Sequence, residues 1–293
     1  MKSYGGNTNV GTIRKVLVKH PRDAYHDQAH IARQWQELHY PAQTNYQQAL
    51  ADYEVFLSLL RQAGAEPNFL PADEGQTSLD SVYTHDPVFV FDGGSVILNM
   101  GKSQRRGEPE AAREYLEELG IPVAGRITSP GTLEGGDFFW LDARTVAAGQ
   151  GYRTNAEGIR QLREILGGMV DEVVTVPLPH WTGPADCLHL LSMISPLDRD
   201  LAVVYSRMMP VPFRQLLLER GYTLVEVPEE EYDGMACNVL AVAPRICIMP
   251  DGNPLTRARL ENAGVEVHVY PAAEISIKGG GGPTCMTRPL LRL

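Results

Sequence analysis

The sequence predicts an α/β fold built by repeating one unit, and two observations carry that expectation. A unit of strand, turn, strand and amphipathic helix recurs along the chain. Its opening landmarks, Asp86, Asp137, His189, Cys237 and Cys285, follow one another at intervals of 51, 52, 48 and 48 residues, a period of repeat-protein scale. If each unit is a blade around one axis, the landmarks sit at the entries to equivalent inner strands and face the same end of a central channel. The competing arrangement is a doubly wound sheet, the common outcome of helix–strand alternation.

The first full unit begins at Asp86. Pro-Val-Phe-Val-Phe reads as a strand, Asp-Gly-Gly as a turn and Ser-Val-Ile-Leu as the return strand, followed by a helix from Pro109 to Leu119 with Tyr115, Leu116 and Leu119 on one face. The second opens at Glu134-Gly-Gly-Asp137, continues through Phe-Phe-Trp-Leu and Thr-Val-Ala-Ala, and enters a helix from Asn155 to Leu166. The third runs from His189 to a helix around Phe213 to Arg220. The fourth starts at Cys237-Asn238, turns at Ala243-Pro244-Arg245 and reaches a helix from Pro254 to Ala263. The last begins at Cys285 and is short. A single domain spanning residues 1–293 is expected.

Composition narrows the function. The chain has 293 residues, 43% hydrophobic, with a formal net charge of −10, enough to bury a large core. The most basic stretch, Lys102-Ser-Gln-Arg105-Arg106, is answered at once by Glu108 and Glu110, so no nucleic-acid partner is expected. No membrane partner is expected either, since no window approaches the roughly 18 apolar residues that a membrane span needs and the first twenty residues lack the apolar region of a secretory signal. Cys187, Cys237, Cys247 and Cys285 are widely spaced apart from one ten-residue gap and read as reduced thiols of a cytoplasmic protein.

Four tracts carry the candidate chemistry. Cys285 follows Lys278-Gly-Gly-Gly-Gly-Pro-Thr, a loop that lets the backbone approach other groups closely and leaves the thiol open to reaction. The bland alternative for a cysteine is a small buried hydrophobe, the reading favoured for Cys187, Cys237 and Cys247. His189 interrupts an apolar run; the repeat supplies it with reactive neighbours, as a general acid or base requires. Leu133-Glu134-Gly-Gly-Asp137 places two carboxylates around a turn, where they hold a cation or orient His189. Asp80-Ser-Val-Tyr-Thr-His85-Asp86 adds two acids and a histidine, and paired carboxylates suit a planar guanidinium. Arg105-Arg106 and Arg153 precede helices and are either surface residues or readers of a ligand carboxylate. Cys187-x-His189 also fits a metal site, but no second ligand pair at zinc-finger spacing accompanies it, so no metal or other cofactor is expected.

Taken together, Leu133-Glu-Gly-Gly-Asp137, Arg153-Thr-Asn-Ala-Glu-Gly158, Leu188-His-Leu190 and Gly281-Gly-Pro-Thr-Cys-Met286 resemble the motifs of the guanidine-modifying (pentein) superfamily, nearest the dimethylarginine dimethylaminohydrolases and more distantly the arginine deiminases. The likeness runs from Leu79 to Cys285, and Gly11 to Pro21 fits the opening strand. It implies a five-bladed pseudo-symmetric α/β propeller with a central active-site channel. It further implies a hydrolase that attacks the guanidinium carbon of an arginine-like small molecule through a cysteine thiouronium, releasing a ureido product such as citrulline plus amine or ammonia. Cys285 matches the nucleophile, His189 the general acid/base and Glu134 the acid that supports it. Asp86 matches the carboxylate that binds the guanidinium and Asp80 another active-site acid of the dimethylaminohydrolases, while Arg153 and Arg106, the more favoured of the Arg105-Arg106 pair, match carboxylate-binding arginines. His85 stands where the dimethylaminohydrolases carry an acid and the deiminases an arginine. Arg288 belongs either to the pocket or to a solvated tail. Family members are often dimers, so a homodimer is expected. The rival readings are an amidinotransferase on the same fold, a non-catalytic propeller binding a cationic ligand, and a zinc protein using Cys187, His189 and Cys285.

Overall fold

A computed structural model describes residues 2–73 and 75–293. The chain opens with β1 (Ile13–Val18), passes helices α1 (Pro21–Tyr25), α2 (Gln28–Gln34) and α3 (Tyr46–Gln62), and returns as β2 (Glu66–Phe69). A hairpin, a helix and a third strand then follow. They comprise β3 (Val88–Phe91), β4 (Gly94–Ile97), α4 (Glu108–Glu118) and β5 (Val123–Arg126). The next set is β6 (Phe138–Asp142), β7 (Thr145–Gln150), α5 (Ala156–Leu166) and β8 (Glu172–Pro177). After it come β9 (Ile194–Asp198), β10 (Leu201–Val204), α6 (Val211–Glu219) and β11 (Thr223–Glu226). A short α7 (Glu229–Tyr232) leads into β12 (Leu240–Ala243), β13 (Ile246–Pro250), α8 (Pro254–Asn262) and β14 (Glu266–Tyr270), and β15 (Arg288–Arg292) ends the chain.

These strands form five separate three-stranded sheets among the described residues, not one doubly wound sheet. In each of the four internal sheets the hairpin strands are antiparallel and the strand after the helix lies parallel to the middle one. The fifth sheet is completed from both ends of the chain: β15 pairs antiparallel with β1, which pairs in parallel with β2. The short last unit foreseen at Cys285 is therefore the missing strand of the first blade. Closing the ring with the C-terminal strand covers an edge that would otherwise template aggregation.

Apolar side chains weld each blade to the next. Leu17 and Leu290 pack with Val88 and Ile97, and Phe89 and Phe91 with Phe138 and Trp140. Phe139, Ile194, Val203 and Met249 share the next cluster, and Ile248 returns to Val16, Tyr25 and Phe56. The result is a pseudo-fivefold α/β propeller. The four helices that the periodicity placed, α4, α5, α6 and α8, fall within two residues of the expected bounds, whereas α1, α2, α3 and α7 were not foreseen. The predicted face of α4 needs one correction: Ala112 and Leu116 are buried whereas Leu119 is exposed, because the helix ends at Glu118. No helix among the described residues is long and apolar enough to cross a membrane.

Candidate active site

The inner ends of the blades bring Cys285, His189 and Asp86 to one side of the channel. Cys285 follows the glycine loop and is half-buried. Its carbonyl accepts the His85 N–H at 3.0 Å, and its Sγ accepts from Asn238 Nδ2 at 3.2 Å. A Cβ at Gly282 would lie 2.5 Å from Asn238 Cγ, so the loop passes this close only as glycine. The thiol opens onto a cleft of about 320 Å3 shared with His189, Cys187 and Asn238. A narrow extension of the cleft is lined by Asp80, Asp86, Lys102, Arg105 and Arg153.

His189 precedes the tight turn Leu190–Ser192, its N–H donating to Ser192 Oγ at 3.0 Å. Its ring is held by Glu134, whose Oε2 lies 2.8 Å from Nε2, while Nδ1 looks toward Asp86 Oδ1 at 3.9 Å and Cys187 Sγ at 3.8 Å. Burial alone would keep this imidazole neutral, but Cys187, Asp86 and Asp137 outweigh it and raise its pKa well above the ordinary value. A side chain on Gly136 would overlap His189 Nδ1, so the Gly135-Gly136 turn is what admits the ring.

Glu134 is fully buried. Its Oε1 accepts from the Lys102 N–H at 3.0 Å and from Arg153 Nε at 2.9 Å, and Arg153 Nη2 reaches Oε2 at 2.8 Å. Burial would push this carboxyl up; Arg153 and His189 hold it down at about 2. Asp86 accepts the Gly136 N–H at 2.9 Å on Oδ1 and Arg105 Nη1 at 2.6 Å on Oδ2. It too stays well below the usual carboxylate range, with His189 and Arg105 overcoming its burial. The Cys285 thiol is pushed up to about 11 by burial, then by Asp86 and Cys187, so it rests protonated at neutral pH.

Six predicted residues thus meet around one cleft: Cys285, His189, Asp86, Asp80, Glu134 and Arg153. Asp80 pairs with Lys102 at 2.6 Å and its Oδ1 is buried without a partner. Three others do not join them. Arg106 is exposed; the buried arginine is its neighbour Arg105, held by Asp86 and by Glu108 at 2.7 Å. Asp137 accepts the Leu190 N–H at 2.8 Å and braces the His189 turn instead of lining the cleft. His85 faces the far side of the channel, its Nδ1 donating to the Thr287 carbonyl at 2.7 Å. Arg105 is the less favoured member of the expected pair; Asn238 and Lys102 carry no expected site role, although Asn238 adjoins the landmark Cys237, which is buried in the core. Asp86, Glu134 and His189 bring donor atoms within 4.8 Å of one another, but Arg105 and Arg153 already neutralise the two carboxylates.

The family model for eukaryotic N,N dimethylarginine dimethylhydrolase matches residues 22–292. The chain belongs to this family. The N(G),N(G)-dimethylarginine dimethylaminohydrolase of Pseudomonas aeruginosa is 30% identical over 245 residues, covering 83% of this chain and 89% of the relative. An arginine deiminase of Listeria welshimeri is 26% identical over 250 residues, 72% of this chain and 61% of that protein. Among solved structures, a dimethylarginine dimethylaminohydrolase in adduct with S-methyl-L-thiocitrulline superposes with a TM-score of 0.77 at 27% identity, over 94% of this chain and 99% of that one. The family's members are amidine hydrolases of the pentein fold, in agreement with the five sheets and with the chemistry around Cys285.

Proposed function

We propose that the cleft hydrolyses the guanidinium group of an arginine-like amino acid, with Cys285 as nucleophile and His189 as general acid and base. The observation that carries this reading is the meeting of a thiol, an imidazole and the Asp86 carboxylate at one cleft. The cleft also offers both signs of charge, Asp80 and Asp86 beside Arg105 and Arg153, which suits a ligand with a guanidinium at one end and a carboxylate at the other.

Arrival of a cationic guanidinium beside Cys285 favours loss of the thiol proton to solvent through the open cleft. Sγ then bonds to the guanidinium carbon, and protonated His189 delivers its proton to the departing nitrogen, which leaves as amine or ammonia. The thiouronium that remains is attacked by water. His189 takes up the water proton, the C–S bond breaks and a ureido product departs with the thiol restored. Glu134 and Arg153 act through His189 and are positioning residues. The four free cysteines support a reducing, cytoplasmic setting.

The test is a panel of arginine, N-methylated arginines and decarboxylated analogues, scored for ureido product and released amine. We expect stoichiometric release of both, and loss of both in Cys285→Ser. Binding without any ureido product would leave only a ligand-binding propeller. Product formation that requires an added amine and yields a new guanidine would make the enzyme an amidinotransferase.

A further inference from the structure

A second cavity occupies the opposite side of the channel from Cys285. His85, Arg288 and Arg292 line it, together with Thr8, Asn9 and apolar groups such as Trp140. Arg288 and Arg292 are only 6% and 7% exposed. Among the described residues neither forms an ion pair, although every other buried arginine of the chain does. Arg288 donates through Nε and Nη2 to the His85 carbonyl. Arg292 donates through Nη1 to the carbonyls of Gly11 at 2.6 Å and Ala241 at 2.9 Å. Nη1 of Arg288, and Nε and Nη2 of Arg292, have no acceptor among the described residues.

Two buried cations without a counter-charge are costly, since removing a charge from water is compensated only by pairing. Burial pushes both guanidinium groups down to about 9, with Asp86 partly offsetting it at Arg288 and Arg288 adding repulsion at Arg292. Asp86 is already committed to Arg105 and His189. The cavity has a third unsatisfied group. Because His85 Nδ1 must donate to the Thr287 carbonyl, Nε2 is a bare acceptor, and it is buried with no partner.

We propose that this cavity is a binding site for a small inorganic oxyanion that carries a hydroxyl, such as hydrogen carbonate or hydrogen phosphate. Its charge answers Arg288 and Arg292, and its O–H answers His85 Nε2. The free space of about 50 Å3 is several times the ~10–15 Å3 that one water needs. A hollow of about 470 Å3 adjoins it and shares Thr8, Asn9, Trp140 and Pro196 with it. The site lies one peptide from the catalytic cleft, because His85 joins the Arg288 contact on its carbonyl to the Cys285 contact on its N–H.

The experiment is thermal unfolding of the whole protein at constant ionic strength, with phosphate, hydrogen carbonate or chloride replacing gluconate, which is too large for the cavity. We expect a saturable rise in the unfolding midpoint with phosphate and hydrogen carbonate, and its loss in Arg292→Met. Crystals grown in phosphate should show density within hydrogen-bond reach of both guanidinium groups, a readout that does not depend on the variant folding. Midpoints indistinguishable from gluconate, or phosphate crystals with no density between Arg288 and Arg292, would overturn the proposal.

Discussion

Glu134→Gln isolates what this carboxylate adds to the charge of His189, beside the contributions of Cys187, Asp86 and Asp137. The carboxylate lies 2.8 Å from His189 Nε2, which at an effective dielectric near 20 corresponds to a ceiling of about 6 kcal/mol. Glutamine keeps a hydrogen bond to the ring, and Cys187 and Asp86 still favour the imidazolium. The expected loss is therefore about half the ceiling, a fall of about 2 units in the His189 pKa at 1.36 kcal/mol per unit. The change also strips Arg153 of its carboxylate, so stability should drop by about 3–5 kcal/mol, the usual effect of removing one partner of a buried pair. The assay is an NMR titration of the His189 ring nitrogens alongside the pH profile of kcat. Proton delivery needs imidazolium, so the limb at high pH should move down by the same amount as the titration. A His189 midpoint that moves by less than about half a unit would refute the claim that the Glu134 contact contributes to its charge.

Two further changes probe neighbouring groups. Asn238→Leu removes the N–H that donates to Cys285 Sγ. Hydrogen bonds to charged groups are worth about 1.5–3 kcal/mol, so the thiolate should become roughly tenfold or more scarcer at fixed pH, read as slower alkylation by iodoacetamide. Asp137 is pushed up to about 6 by burial, against about 3.9 in the unfolded chain. The folded state therefore holds an extra proton between these values, and this group makes stability fall as pH rises through that window. Asp137→Asn should flatten the difference in urea stability between pH 4 and pH 7 by on the order of 3 kcal/mol, and an unchanged slope would sink the assignment.

The ring was legible because its units recur at a nearly constant interval, and that interval survives the divergence of the residues between landmarks. The identity of the inward-facing side chain was less legible, because it turns on single residues. His85 and Asp86 are neighbours, yet one faces each side of the channel. Arg105 and Arg106 are likewise adjacent, and only the local turn Ser103–Arg105 decides which one goes inside. In the second unit the turn Gly135–Asp137 places Glu134 against His189 and leaves Asp137 to brace the backbone of Leu190. Cys237 and Asn238 divide in the same way, Cys237 into the core and Asn238 toward Cys285: a landmark fixes a level in the channel to within a residue, whereas side-chain direction alternates from one residue to the next. The pairing of β15 with β1 joins residues more than 270 positions apart, and no local pattern signals it.

The central claim, that Cys285 bonds to the guanidinium carbon, is tested most directly by trapping that bond. His189→Gly removes the group that activates the water while leaving the thiol in place. Incubation with an S-methylisothiourea analogue of the best substrate, whose methanethiolate leaves without a proton from His189, followed by denaturation and peptide mass spectrometry, should show an adduct of the analogue less methanethiol on the peptide that contains Cys285. Turnover by this variant at the wild-type rate, or an adduct on Cys187 with Cys285 unmodified, would contradict the account.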